Sequence, residues 1–201
     1  MLGVKYHEDL IKVIPRIETE FIFKTIRKCL SKSKILETEK LEVEIAGSYP
    51  SGKKESKDID ILIFSNKIKT QTELKLQGLK VINKITDNLS NCNILVDIVS
   101  KGFGMLMCLV KGKSGIVRHL DMRLLPKKCE VFGRLFFTSG GDFNQVLRQR
   151  AKSLGYKLNE FDLVNISNNK SVFTDTEKKK LKEEDIFKKL GYDYIPLNRR
   201  R

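Results

Sequence analysis

The chain has 201 residues, with 39 Lys and Arg against 25 Asp and Glu and a formal net charge of +14. Its 40% hydrophobic content with 13 Gly and 4 Pro excludes a disordered chain and allows a real core, in one domain or two small ones. No apolar run approaches a spanning length and no signal peptide is visible, so nucleic acid is expected as the polyanionic partner rather than a membrane.

Residues 1–14 give no clear pattern. Pro15 suits a first helical position, and Ile22, Ile26 and Cys29/Leu30 then recur at helical spacing. Ser31 to Lys40 reads as a polar connector. Leu41 to Ala46 alternates apolar and charged residues, the period of a half-buried strand. Gly47-Ser48 breaks it and opens a loop rich in Ser, Gly and Lys. Asp58-Ile59-Asp60 then begins a second strand through Phe64. Ser65 to Thr70 is a loop, and Gln71 to Leu89 a helix with Ile82, Ile85 and Leu89 on its core stripe.

Ile94 to Ser100 is another strand. Met105 to Val110 is expected to pair with Ile116 to Leu125 across a Lys113-Ser114-Gly115 turn. From Lys127 the character changes to a smaller mixed unit. Asp142 or its glycine neighbours cap a helix whose buried stripe is Phe143, Leu147, Ala151 and Leu154, stopped by Gly155. Gly155 to Val164 resembles a strand entry, Asn165 to Ser171 a polar loop, and Thr174 to Leu190 carries a short charged helix. The tail Asn198-Arg199-Arg200-Arg201 is expected to fray in solvent. Cys29, Cys92, Cys108 and Cys129 show no metal spacing, so free, partly buried thiols in a reducing compartment are expected.

Alternation points Asp58 and Asp60 the same way, about 7 Å apart along the strand. Crowded carboxylates on an apolar strand suit a hard divalent cation bound through oxygen. A lone pair of this kind reads equally as solvated aspartates at a strand entrance. A third carboxylate shifts the balance: in Arg118 to Pro126, Asp121 shares a face with His119 and Arg123 and is flanked by Leu120, Met122 and Leu124. Unpaired charge is expensive to bury, so this reads as a charged site set into a sheet. Three such aspartates can hold two Mg²⁺ ions for phosphoryl transfer.

Gly47-Ser48, nine intervening residues, Asp58-x-Asp60 and a later strand Asp together resemble the nucleotidyltransferase palm, and more closely the family X, polymerase beta-like, DNA polymerases. The motifs are GSYPSGKKESKDID (47–60), DMRLLP (121–126) and FFTSGGDFN (136–144). Ser100-Lys101-Gly102, Leu158-Asn159-Glu160 and Glu184-Asp185-Ile186-Phe187 fit in the same order. The resemblance runs from Ile14-Pro15-Arg16 to the C-terminus. It implies an α+β fold: a palm with a mixed β-sheet flanked by helices over 1–127, and a small α/β thumb over 128–201. The implied activity is a DNA-directed DNA polymerase filling short gaps in DNA repair, base excision repair included. A primer 3′-hydroxyl would attack the dNTP α-phosphate with two Mg²⁺ ions, Mn²⁺ being the alternative metal. The implied partners are gapped or primed double-stranded DNA and dNTPs, bound by a monomer. Too few residues precede Ile14 for the family's lyase and fingers domains, so a compact viral member is expected, in a viral factory of the host cytoplasm or in a virion. The alternatives are a template-independent nucleotidyltransferase on RNA or DNA ends, and a catalytically silent nucleic-acid-binding protein.

The resemblance also assigns roles. Asp58, Asp60 and Asp121 hold the metals, and Asp97, lying before the Ser100-Lys101-Gly102 turn, is not a ligand. Gly47 lets the backbone approach the triphosphate and Ser48 donates to it, aided by any helix N-terminus after the loop; Gly47 as a plain turn is the alternative. Ser51 stands where the family has Arg, so Lys53 or Lys54 is expected to replace that contact. His119 stands where Arg is common, and either contacts phosphate or primer or is a packed, hydrogen-bonded histidine. Arg123 is assigned to DNA. Phe136, Phe137 and Thr138 line the sugar. Asn144 and Arg148, four apart on one helical face, meet the nascent base pair and the template; two solvated polar residues are the alternative.

Overall fold

The computed structural model describes residues 5–112 and 114–200. Pro15 ends a two-residue strand β1 (Ile14–Pro15) and serves as N-cap, with φ −60°, of helix α2 (Arg16–Lys32), whose Thr19, Ile22, Ile26, Cys29 and Leu30 are buried. A proline N–H would have had no intrahelical partner there. Ahead of it, the short helix α1 (His7–Leu10) is tied to the sheet: Val117 N–H donates to Asp9 Oδ2 at 3.0 Å. Arg118, 3% exposed, forms paired bonds of 3.0 and 2.8 Å with Glu18 of α2 and donates to the Lys12 carbonyl. A buried cation is tolerable only when saturated in this way.

The polar connector contains one helical turn, α3 (Ile35–Thr38), because Ile35 has a core position to fill. A five-stranded mixed sheet follows in the order β2-β4-β7-β6-β5. Its strands are β2 (Leu41–Ile45), β4 (Ile59–Ser65), β5 (Leu95–Gly102), β6 (Met105–Lys111) and β7 (Val117–Pro126). β4 and β7 run parallel, while the other neighbours are antiparallel. A two-residue strand β3 (Glu55–Ser56) inside the glycine-serine loop pairs with β1. Of the expected 113–115 turn, Lys113 lies outside the described residues.

Alternation assigns the two faces. Ile59, Ile61 and Ile63 of β4, with Leu120, Met122 and Leu124 of β7, pack on α2 and on α4 (Gln71–Asn91) in one large core. Thr70 caps α4 by accepting from the Glu73 N–H at 3.0 Å. The opposite face carries Asp60, Leu62 and Phe64, then Asp121, Arg123 and Leu125. Its Leu62, Phe64 and Leu125 form a small cluster with Ala46, against which Phe137 packs. Phe137 belongs to helix α5 (Glu130–Thr138), where the sequence had suggested only a motif. Gly133 allows α5 to lie close: a Cβ there would come within 2.5 Å of Leu125 Cδ1.

A second core joins α5 with α6 (Gly141–Ser153), the hairpin β8 (Tyr156–Leu158) and β9 (Leu163–Asn165), and α8 (Glu183–Lys189). On α6, Leu147 and Ala151 are buried as expected, but Leu154 is 38% exposed because the helix ends at Ser153. Gly155 follows with φ +79°, the left-handed stop a glycine supplies. The single charged helix expected after Thr174 is two, α7 (Asp175–Lys178), closed by a Thr174–Glu177 capping box, and α8.

Two expectations are corrected. The tail does not fray at Arg200: its guanidinium is buried, pairs with Glu183 at 2.5 Å, donates to the Ile195 carbonyl and lies over Phe143, Phe187 and Tyr194. Its own carbonyl accepts from Gly140 N–H at 3.1 Å. Arg201 lies outside the described residues. Nor are all four thiols free: Cys29 of α2 and Cys92 after α4 form a disulfide, with Cα atoms 6.3 Å apart. Cys108 and Cys129 remain buried thiols, pushed up to about 12 and about 11 chiefly by burial.

The cross-link spans 63 residues. Reduction is expected to cost about 4 kcal/mol and to lower Tm by roughly 10 °C. Calorimetry with and without dithiothreitol measures this, and Cys92→Ser should unfold at the lowered temperature whatever the reductant.

Candidate active site

The site begins with register. In the parallel pair β4–β7, Asp60 lies directly opposite Asp121. Burial, reinforced by Asp58 and Asp121 and opposed by Arg123, pushes Asp60 up from 3.8 to about 7. Asp121 is also raised, by burial first and by Asp58, against the pull of His119 and Arg123. Its Oδ1 is buried with no hydrogen-bond partner, and His119 Nδ1 stands 3.9 Å away, too far for one. Asp58 sits in the exposed bend just before β4. Among the described residues no group of three or more His, Cys, Asp and Glu is drawn together as a metal cage. The carboxylates form an open row with one orphaned oxygen. That hard-oxygen donor set, uncompensated and mutually repelling, fits divalent cations of the Mg²⁺ class.

Gly47 forms the wall beside this row. It has φ +61°, and a Cβ there would run into the Asp60 carboxylate, so both the backbone conformation and the close approach require glycine. Its N–H donates to the Phe137 carbonyl at 2.8 Å, joining the loop to the end of α5. Ser48 follows, half-buried, and its carbonyl accepts from the Ser51 hydroxyl at 2.8 Å. Residues 47–52 are consecutive turns, so the expected helix N-terminus after the loop does not form. Ser51 thus closes a turn and brings no cation.

Lys53 and Lys54 are exposed, and it is their main-chain carbonyls that are engaged, by Arg16. Arg16 is the cation that sequence reasoning overlooked. Its guanidinium stacks 3.5 Å from the Tyr49 ring and donates to the Tyr49 carbonyl at 2.7 Å, while Tyr49 hydroxyl donates to Glu20 at 2.7 Å. The Ile14-Pro15-Arg16 motif was the available signal.

The remaining positions divide. Arg123 is on the Asp60–Asp121 face, its guanidinium 5.8 Å from the Phe137 ring. Phe136 and Phe137 meet edge to face at 5.0 Å. Thr138 hydroxyl donates to the Arg134 carbonyl, so its hydrogen is spent within α5. Asn144 is not a free polar residue: its Nδ2 donates to the carbonyls of Phe136 at 2.7 Å and Ser139 at 3.3 Å. Arg148, one turn later, lines an open groove. Asp97 lies on edge strand β5, two strands from Asp121, and accepts from the Ile98 N–H.

With this geometry in view, comparison with known proteins is decisive. The DNA polymerase beta palm profile matches residues 13–127, and the DNA polymerase beta thumb profile matches residues 133–201. The chain belongs to family X, the DNA polymerase beta family. It is 24% identical over 205 residues to DNA polymerase lambda of Arabidopsis thaliana, across 96% of this chain and 37% of that protein. It is 26% identical over 210 residues to DNA polymerase lambda of Rattus norvegicus, across 96% and 34%. The chain therefore spans about a third of the length of these two relatives. Its fold is shared by a Leishmania infantum polymerase beta solved as a ternary P/T complex. There the TM-score is 0.82 and the identity 24%, covering 99% of this chain and 80% of that one. The family palm thus ends where β7 ends, and the family thumb begins within α5.

The Asp60 environment carries a test in metal-free solution. Its folded pKa lies above its ordinary value of 3.8, so folding favours the protonated form. That contribution is fully present below about pH 4 and is lost as pH rises through about 7. Asp60→Asn should be more stable than wild type at about pH 8, by up to roughly 4 kcal/mol, with the gap closing toward about pH 4. Urea midpoints in EDTA across that range check it.

Proposed function

We propose that this chain is a template-directed DNA polymerase that fills short gaps during DNA repair. The observation that carries the reading is the Asp60–Asp121 register, with Asp121 Oδ1 buried and unpartnered. Family membership and two relatives named DNA polymerase lambda support it. The net charge of +14 suits a duplex DNA partner. Among the described residues no helix is long and apolar enough to cross a membrane.

In this reading Asp58, Asp60 and Asp121 hold two Mg²⁺ ions. Bound there, such ions make the primer 3′-hydroxyl more acidic and neutralise charge on the triphosphate. The protein's own groups do the rest. Gly47 leaves room for the phosphates beside Asp60, and Ser48 offers its hydroxyl to their terminal oxygens. Arg16, already fixed on the loop, supplies positive charge that Ser51 lacks. Phe136 and Phe137 lie against the sugar, and Arg123 with His119 adds positive potential beside the primer. Asn144 holds the α5–α6 corner, which places Arg148 toward the template strand.

The test is single-nucleotide insertion on a gapped substrate. Asp121→Asn is expected to lose at least about a thousandfold in insertion rate, several kcal/mol of transition-state stabilisation, with DNA affinity within about twofold of wild type. Wild type should prefer the complementary dNTP opposite each template base. Near-normal turnover in the variant would remove Asp121 from the chemistry, and indifferent addition of all four dNTPs would overturn templating.

A further inference from the structure

One face of α6 continues past Arg148 into a groove of about 710 Å³ that the reaction so far does not use. Its floor and walls come from α6 on one side and the β8–β9 hairpin on the other. Asn144, Arg148 and Lys152 follow at four-residue spacing, a line about 12 Å long on one helix face. Lys157 and Tyr156 face them from β8, and Ile166, 55% exposed, closes the far end. None of Arg148, Lys152 or Lys157 is paired with a carboxylate among the described residues, and no Asp or Glu lines the groove.

The near end of this groove touches the nucleotide site. Asn144 donates to the Phe136 carbonyl, and the next carbonyl, that of Phe137, receives the Gly47 N–H. The groove therefore starts at the corner where the templating base would lie and leads away from it. Unpaired cations set beside an aromatic ring and exposed aliphatic surface match the chemistry of single-stranded nucleic acid. Phosphates take the cations and unstacked bases take the apolar wall. A duplex would present its phosphates but keep its base faces covered. An acidic peptide would satisfy the charge and leave Tyr156 and Ile166 without partners.

We propose that this groove seats the single-stranded template ahead of the nucleotide being copied, a proposal that rests on the polymerase reading and adds a second DNA contact to it. Lys152 and Lys157 hold its phosphates, and Tyr156 with Ile166 receives its bases.

The experiment measures binding of the full chain to primed DNA whose 5′ template overhang is either one or about eight nucleotides long, by fluorescence anisotropy over a salt series. Wild type should bind the long overhang about tenfold more tightly. Lys152→Glu with Lys157→Glu, both exposed, should reduce that gain to about twofold or less. For the long overhang the salt slope should also fall by about 0.7 per cation lost. Affinity for the one-nucleotide overhang and Tm should stay as in wild type. Tyr156→Leu, which keeps an apolar side chain in the second core, should lose part of the gain without changing the slope. Wild-type affinity independent of overhang length overturns the proposal, as does full retention of the gain in the double variant. Displacement of oligo(dT) by an acidic peptide of equal charge, at equal concentration, reduces the groove to a charge sink and overturns it too. A wild type that extends one-nucleotide overhangs but ignores their length refutes the groove alone. A wild type that neither binds nor extends primed DNA refutes the polymerase reading itself.

Discussion

Two carboxylates held opposite one another on a parallel strand pair are the costly feature around which this molecule is arranged. Like charges at that separation resist joint ionisation, and burial adds to the penalty. The cost is met by apolar packing on the other face of the same strands. Ile59, Ile61 and Ile63 alternate with Asp60, and Leu120, Met122 and Leu124 alternate with Asp121. Fully burying one such aliphatic side chain is worth about 1.5–3 kcal/mol, so six of them outweigh one strained pair several times over. A one-residue register slip would exchange the two sets and bury four charges in the helix-covered core. The core thereby specifies the site.

The same face shows how the site meets the thumb. Toward the C-terminal ends of β4 and β7 the aspartates give way to Leu62, Phe64 and Leu125, and α5 packs there through Phe137. The end of α5 then supplies one carbonyl to Gly47 and its neighbour to Asn144. One short stretch of main chain therefore joins the phosphate-side loop, the strand bearing Asp60 and the helix that carries Arg148. Farther round, Arg200 returns the C-terminal segment to Gly140 at the start of α6. That helix is pinned at its first turn from two directions.

Much of this was legible in the sequence, and the parts that were not share a cause. Alternation in Leu41–Ile45, Ile59–Ser65 and Val117–Pro126 revealed the strands, and it placed Asp60 and Asp121 away from the aliphatic positions. The spacing of Ile82, Ile85 and Leu89 revealed α4. What escaped depends on partners distant in the chain. Cys29 and Cys92 are 63 residues apart and carry no spacing signal. Arg200 reads as a solvated terminal charge until Glu183 and three aromatic rings surround it. Arg16 reads as a helix-start residue until Tyr49, 33 residues on, comes to lie under it. Helix α5 was hidden because its aromatic pair was understood through a motif and its period was left unread.

Arg16 and Ser51 together show how a loop can change its charged residue without losing its charge. A guanidinium carried on the loop would move with it and lose rotamer freedom on engaging a ligand. Arg16 instead comes from the rigid first turn of α2. Two main-chain carbonyls, the Tyr49 ring and Glu20 at 3.6 Å already restrict it. The ordering entropy, of the order of 1–2 kcal/mol for an arginine side chain, is spent on folding and not on binding. The loop in return takes its shape from the helix: the Arg16 N–H and guanidinium hold Lys54 and Lys53 by their carbonyls, which leaves both lysine side chains in solvent. Positive potential at this loop is thus a property of the palm scaffold, and the loop itself, built of turns from Gly47 to Gly52, is free to be small.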